Sequence, residues 1–193
     1  MFNTADMLKI FAKHRGDAIV VSGRGGKHWI NVSDTALDIP LGDPAMGGHC
    51  GFAFGLAMAL PHRKIVLFDS EGDLQMSLGI LLSVAEQKPE NFYHFVLDNE
   101  VYATTGGQPV PNAKNVKYDQ IALGAGYPRA FAFDELAALE KALPDILGKK
   151  GPVFCTMKVN PEVENEAIGN RKKWRTRSQV QVVADLKKEL KIA

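Results

Sequence analysis

The apolar residues of this chain fall into short unbroken runs, separated by stretches with a helical period. Residues 18–22 (AIVVS), 64–68 (KIVLF), 92–97 (FYHFVL) and 152–159 (PVFCTMKV) read as strands buried on both faces, with residues 129–133 as a further strand. Thr4 is expected to cap a helix reaching about His14, with Leu8, Phe11 and Ala12 on one face and Gly16 as its stop. A helix of small residues is predicted over residues 47–60, ahead of Pro61, and another over 73–87. A short one covers 118–125, and one capped by Asp134 ends near Gly148. Buried strands that alternate with helices pair in parallel through right-handed crossovers. The fold expected is therefore α/β: a doubly wound parallel sheet of about six strands with helices on both faces. Such sheets bind ligands beyond the carboxyl ends of their strands, which points to the segments after Ser22, Phe68 and Leu97.

From Asn160 the pattern changes. A polar connector leads to a basic run (Arg171, Lys172, Lys173, Arg175, Arg177) and then to an amphipathic helix carrying Val180, Val183, Leu186 and Leu190. Residues 1–160 are read as one domain, and 161–193 as a basic segment and helix that pack on that domain or on a partner subunit.

The 193 residues are 46% hydrophobic, enough for one substantial core. The net charge of +1 gives no basis for nucleic-acid binding driven by bulk charge. No apolar run approaches the ~20 residues needed to span a bilayer. The start, Met1 to Asp6, lacks a charged segment followed by an apolar core, so a cytoplasmic protein is expected. Cys50 and Cys155 lie far apart and neither belongs to a C-x-x-C pair, which disfavours a zinc ribbon or an iron–sulfur cluster.

The chemistry concentrates in two loops that each follow a buried strand. One is Phe68-Asp69-Ser70-Glu71-Gly72-Asp73-Leu74-Gln75-Met76-Ser77-Leu78-Gly79. The other is Val96-Leu97-Asp98-Asn99-Glu100-Val101-Tyr102-Ala103-Thr104-Thr105-Gly106-Gly107-Gln108. Glu71 and Asn99 are 28 positions apart, about one strand–helix–strand unit, so a carboxylate and an amide oxygen would meet at neighbouring strand ends. Hard oxygen donors of this kind suit Mg²⁺ shared with phosphate oxygens and water. A helix starting near Asp73 would also point free N–H groups at an anion.

These loops resemble the signature of the thiamine-diphosphate enzyme family: Gly-Asp-Gly, a spacer of that length, then Asn-Asn or Asp-Asn. The resemblance implies that Glu71, Asn99 and the carbonyl of Val101 hold the Mg²⁺ bound to the cofactor's diphosphate. Ala45-Met46-Gly47-Gly48 is similar to the family's Gly-x-Met-Gly turn. By that likeness Met46 would prop the cofactor in its bent conformation, with the backbone of Pro44 and Met46 facing the aminopyrimidine. Ser22 and Gly23 would approach the diphosphate. The expected cofactor-binding set is then Ser22, Gly23, Pro44, Met46, Gly47, Glu71, Gly72, Asp73, Asn99, Val101, Tyr102 and Thr105. Within the family, residues 14–21 (HRGDAIVV), 89–91 (PEN) and 105–108 (TGGQ) resemble the β subunit of sulfopyruvate decarboxylase and the matching half of phosphonopyruvate decarboxylase. The likeness covers roughly residues 5 to 160. The chain departs from the pattern where Glu71 stands for the motif's Asp, Asp73 for a small residue, and Pro44 for a glycine.

The resemblance implies non-oxidative decarboxylation of a small anionic 2-oxo acid, with thiamine diphosphate and Mg²⁺ as cofactors. It also implies a partner. The family's catalytic glutamate lies in a separate pyrimidine-binding domain, for which a chain of this length has no room. An α subunit carrying that domain is expected, in an α₂β₂-like or larger assembly. A carboligase subunit and a degenerate, non-catalytic scaffold are the alternative functions. A 2-oxo acid:ferredoxin oxidoreductase subunit is disfavoured by the lack of clustered cysteines. Arg24, Lys27 and His28 either meet a sulfonate or phosphonate or form a solvated loop. His49 is either a proton shuttle or a packed histidine, and His94 and Cys155 are read as structural.

Overall fold

The computed structural model describes residues 1–192 apart from 42–45, 165, 168–169 and 171–174. Six strands form one parallel sheet in the order β2-β1-β3-β4-β8-β7: β1 (Ile19–Ser22), β2 (Asp38–Pro40), β3 (Ile65–Ser70), β4 (Phe92–Asp98), β7 (Arg129–Phe133) and β8 (Val153–Lys158). β5 (Val101–Tyr102) and β6 (Gln108–Pro109) make a small antiparallel hairpin beyond β4. The expected doubly wound sheet is present, with a core on each face.

The strand side chains alternate between those cores as the two-residue period requires. Val20, Val66, Phe68 and Phe95 face one way, onto α1 (Thr4–Ala12) and α6 (Leu136–Gly148). The Phe11 ring meets those of Trp29, Phe68 and Phe95 edge-on there, at 5.8, 4.9 and 5.4 Å between centroids. Ile19, Val21, Ile65, Leu67 and Val96 face the other way, onto α2 (His49–Ala59), α4 (Ile80–Gln87), α5 (Tyr118–Ala125) and α7 (Gln179–Leu190). β1 lies between β2 and β3, so the direction of winding reverses there. A crevice opens at that reversal, beyond the carboxyl ends of the strands.

Several local expectations are corrected. The cap of α1 is Asn3, whose side chain accepts the N–H of Asp6, and the helix ends at Ala12. The single helix predicted over 73–87 is two: α3 (Glu71–Met76), starting directly from β3, and α4, with a break at Ser77 to Gly79. The residue preceding α6 is Glu135, and Asp134 makes no capping bond. On α7 the buried residues are Val182 and Leu186, whereas Val180 and Val183 are exposed.

β2 was not anticipated, because three residues that include Asp38 and Pro40 carry no strand pattern. Tertiary contacts fix it instead. The buried Asp38 carboxylate accepts from Trp29 Nε1 at 2.7 Å and Ser33 Oγ at 2.7 Å, and pairs with Arg15 at 2.8 Å. On the open side of β2, Arg177 donates to the carbonyls of Asp38 and Thr35, and Gln179 to that of Pro40. The capping box at Ser178, closed by Gln181, starts α7 immediately beyond these contacts. Of the basic run, Arg171, Lys172 and Lys173 lie outside the described residues.

Candidate active site

A cleft of about 330 Å³ lies at the carboxyl ends of β1, β3, β4 and β8. The loop after β1 lines it with Arg24, Gly25, Lys27 and His28. The β3–α3 junction contributes Ser70, Gly72 and Asp73, and the segment after β4 contributes Asn99, Val101, Tyr102 and Thr105. Met46 and Met76 close another side, and Val159, Asn160 and Glu162 follow from β8. Loops from four strand ends converge, as a parallel sheet requires.

Of the residues singled out from the sequence, Met46, Gly72, Asp73, Asn99, Val101, Tyr102 and Thr105 line this cleft. Ser22, Gly23, Gly47 and Glu71 do not line it, although each adjoins a lining residue or the loop that carries one, and Pro44 lies outside the described residues. Gly23 is fixed by its N–H to the Phe68 carbonyl at 2.8 Å, so the cleft-facing part of that loop begins at Arg24. Tyr102 packs closely against Gly72: a Cβ there would come within 2.8 Å of the ring.

Glu71 and Asn99 do meet. The Asn99 N–H donates to Glu71 Oε1 at 3.2 Å, and Asn99 Oδ1 accepts the Val101 N–H at 3.0 Å. Glu71 is only 1% exposed, and its second oxygen, Oε2, has no hydrogen-bond partner. Burial, reinforced by the nearby Asp98 charge, pushes its carboxyl up to about 8. Asp98 itself is buried and raised by burial, and it pairs with Lys158 at 2.8 Å. An acceptor left short of donors in a buried, electronegative position is a site for a cation.

A second acidic group is satisfied internally. His94 Nε2 bonds Asp69 at 3.1 Å, and His49 Nδ1 lies 3.6 Å from Asp69 and in short contact with Asp73. Burial would lower the His49 pKa, but its hydrogen bonds to Asp69 and Asp73 raise it to about 9. Burial would likewise raise Asp69, and the two imidazoles hold it well below the usual carboxylate range. The ligand-type atoms of His49, Asp69 and Asp73 lie within 4.8 Å of one another, already joined by these bonds. They form an ion-pair network, which sequence reasoning missed. Cys50 Sγ sits 3.7 Å from His94 Nδ1, completing a Cys–His–Asp run. Burial pushes that thiol up and only 1% of the residue is exposed, so it is no nucleophile.

In the basic loop, Lys27 and His28 are partly buried and paired. His28 Nε2 contacts Glu162, and Lys27 contacts Glu164, whose N–H donates to the Ala103 carbonyl at 2.8 Å. Residues 160–164 thus run from β8 past the cleft and tie the loop after β1 to the loop after β4.

Residues 21–157 match the model of the thiamine pyrophosphate enzyme family's C-terminal TPP binding domain. The chain belongs to that family. It is 31% identical over 159 residues to phosphonopyruvate decarboxylase of Streptomyces viridochromogenes, covering 81% of this chain and 39% of that protein. It is also 31% identical over 151 residues to sulfopyruvate decarboxylase subunit beta of Methanocaldococcus jannaschii, covering 75% of this chain and 77% of the subunit. The chain therefore spans well under half of the phosphonopyruvate decarboxylase but most of the beta subunit. Benzoylformate decarboxylase from Polynucleobacter necessarius shares the fold, with a TM-score of 0.70 at 16% identity over 83% of this chain and 33% of that one. Among the described residues no helix is long and apolar enough to cross a membrane.

Proposed function

We propose that this chain is the cofactor-binding subunit of a thiamine-diphosphate-dependent 2-oxo acid decarboxylase, completed by a separate pyrimidine-domain subunit in an α₂β₂-like or larger assembly. The observation that carries this reading is the buried, unpartnered Oε2 of Glu71, beneath Asn99 at the cleft of a TPP-binding domain. Mg²⁺ fits there: Glu71 and Asn99 offer hard oxygens, with the Val101 carbonyl as the third protein donor, and the ion would relieve the destabilised carboxylate. Gly72, Asp73, Tyr102 and Thr105, with Ser22 and Gly23 behind them, would surround the diphosphate. Met46, beside Gly47 and Pro44, would stand against the rings.

When bound, the cofactor supplies the electron sink for loss of CO₂. The chain's own part is to bind and orient it. Tyr102, Met76 and Met46 line the cleft; Tyr102 and Met76 would narrow it and exclude water around the cofactor, and Met46 would favour its bent conformation. The proton-transferring glutamate is assigned to the partner subunit. A small anionic 2-oxo acid, of the sulfopyruvate or phosphonopyruvate type named for the relatives, would meet the rim of Arg24, Lys27 and His28, where it would compete with Glu162 and Glu164 for His28 and Lys27. A non-catalytic scaffold is the reading favoured by Asp73, whose carboxylate stands in the wall of an anion site.

Calorimetric titration of the chain with thiamine diphosphate, with and without Mg²⁺, separates the two. The expected result is Mg²⁺-dependent binding that is lost in Asn99→Ala. Absence of binding both to the chain and to its assembled complex would leave the scaffold.

A further inference from the structure

Asp73 faces a cleft read above as a diphosphate site, yet both of its carboxylate oxygens are committed elsewhere. Oδ1 accepts the backbone N–H of Gly47 at 2.7 Å, and Oδ2 is held by His49 Nδ1. Asp73 is 4% exposed and His49 1%. The turn they hold lies directly on α3. Gly47 has φ +74°, and a Cβ there would come within 3.0 Å of the Met76 Cβ. His49 is seated from the other side as well. A Cβ on Gly23 would approach Nδ1 to 2.9 Å, and Asp69, bonded to His94, lies 3.6 Å from the same nitrogen. Contacts therefore run continuously from β4 through β3 to α2, across Asp73 to Gly47, and end at Met46. Met46 is 54% exposed and lines the cleft.

From this arrangement we infer that His49 and Asp73 are positioning residues, a bridge that pins the Met46–Gly48 turn onto α3 and so sets where Met46 stands in the cleft. The significance of Met46 rests on the cofactor reading above, whereas the bridge stands on the contacts alone. The bridge also accounts for the departure at Asp73. A carboxylate at 73 is compatible with an anion site because its oxygens are turned into the turn and onto an imidazole. His49 supplies the donor that a small residue at 73 would not require. An amide at 73 can still accept the Gly47 N–H; with one of its two carboxylates gone His49 is no longer held protonated as strongly, and a neutral Nδ1 accepts from the amide, so Asp73→Asn should preserve the bridge. Asp73→Ala removes both contacts and leaves the Gly47 N–H without its acceptor.

The test is amide hydrogen exchange on the full chain, comparing peptides that span the turn with peptides from β1, β3 and β4. Asp73→Ala should speed exchange in the turn roughly tenfold, with strand peptides unchanged and Asp73→Asn close to wild type. In parallel, thiamine diphosphate with Mg²⁺ should bind Asp73→Ala roughly tenfold more weakly, with affinity recovered in Asp73→Asn. Unchanged turn exchange in Asp73→Ala overturns the bridge, even where the cofactor binds. Equal weakening in Asp73→Asn and Asp73→Ala overturns it too, since a bare requirement for negative charge would then suffice. Should Asp73→Ala fail to fold, His49→Ala carries the same exchange test, with faster exchange supporting the bridge and unchanged exchange overturning it. If the wild-type chain takes up no thiamine diphosphate, the cofactor reading falls while the exchange arm still decides the bridge.

Discussion

Asp69 and Glu71 sit two residues apart at one strand-to-helix junction, both buried, in opposite surroundings. Asp69 is held by His49 and His94, and its carboxyl lies well below the usual range. Glu71 takes one backbone N–H and keeps an oxygen with no partner, and its carboxyl is pushed up to about 8. A buried acid that the protein satisfies by itself contributes to the fold; one left short of donors is held in readiness for a ligand. The cleft has been built with one of each.

The largest effect should come from breaking the satisfied side. Asp69→Ala leaves the buried His94 Nε2 without its partner and His49 with one carboxylate in place of two, and should cost about 3–5 kcal/mol in urea unfolding. A loss of under about 1 kcal/mol would erase the contrast.

A smaller effect should follow from pH. His49 is raised from 6.5 to about 9, so its contribution is fully present below pH 6.5 and is lost as pH rises through 9. Glu71 is raised from 4.5 to about 8, so the folded chain holds a proton that the unfolded chain has released, and stability again falls as pH rises through that window. Between pH 6.5 and 9 His49 alone should take roughly 2–3 kcal/mol from the cofactor-free chain, with Glu71 adding to the decline up to about pH 8, and His49→Gln should flatten the upper part of it. Stability that held level across this range would contradict both assignments.

The smallest change sharpens the comparison by its sign. Glu71→Gln should stabilise the cofactor-free chain by about 1 kcal/mol at pH 8–9, because it removes a carboxylate that burial disfavours. The same substitution should weaken Mg²⁺-dependent binding. Destabilisation instead would place Glu71 with Asp69 as a purely structural acid.

The sheet was legible because β1, β3, β4 and β8 are written as continuous apolar runs, the pattern of strands covered on both faces. β2 was not, since Asp38 and Pro40 read as loop and the strand is fixed by Trp29, Arg15 and Arg177, brought to it from other parts of the chain. The break between α3 and α4 was hidden because Met76, Leu78 and Gly79 fit a helical pattern as well as a turn. In the cleft, the meeting of Glu71 with Asn99 followed from strand–helix–strand spacing. The union of His49 with Asp73 did not, because 24 residues and two faces of local structure separate them. Nor did the pairing of Lys27 and His28 with Glu162 and Glu164, which depends on how the chain leaves β8. Periodicity reports which residues are buried; it does not report which charges find one another.

The contacts that Arg177 and Gln179 make with β2 carry one further consequence. A terminal strand of a sheet is a template: its unpaired carbonyls and amides invite a strand from another molecule. Here the carbonyls of Asp38 and Pro40 are taken by side chains from the start of the last helix, so that border is closed to strand addition. A chain cut after Asn160 would keep every strand of the sheet and lose this cover, and self-association through β2, rather than unfolding, is the failure it should show.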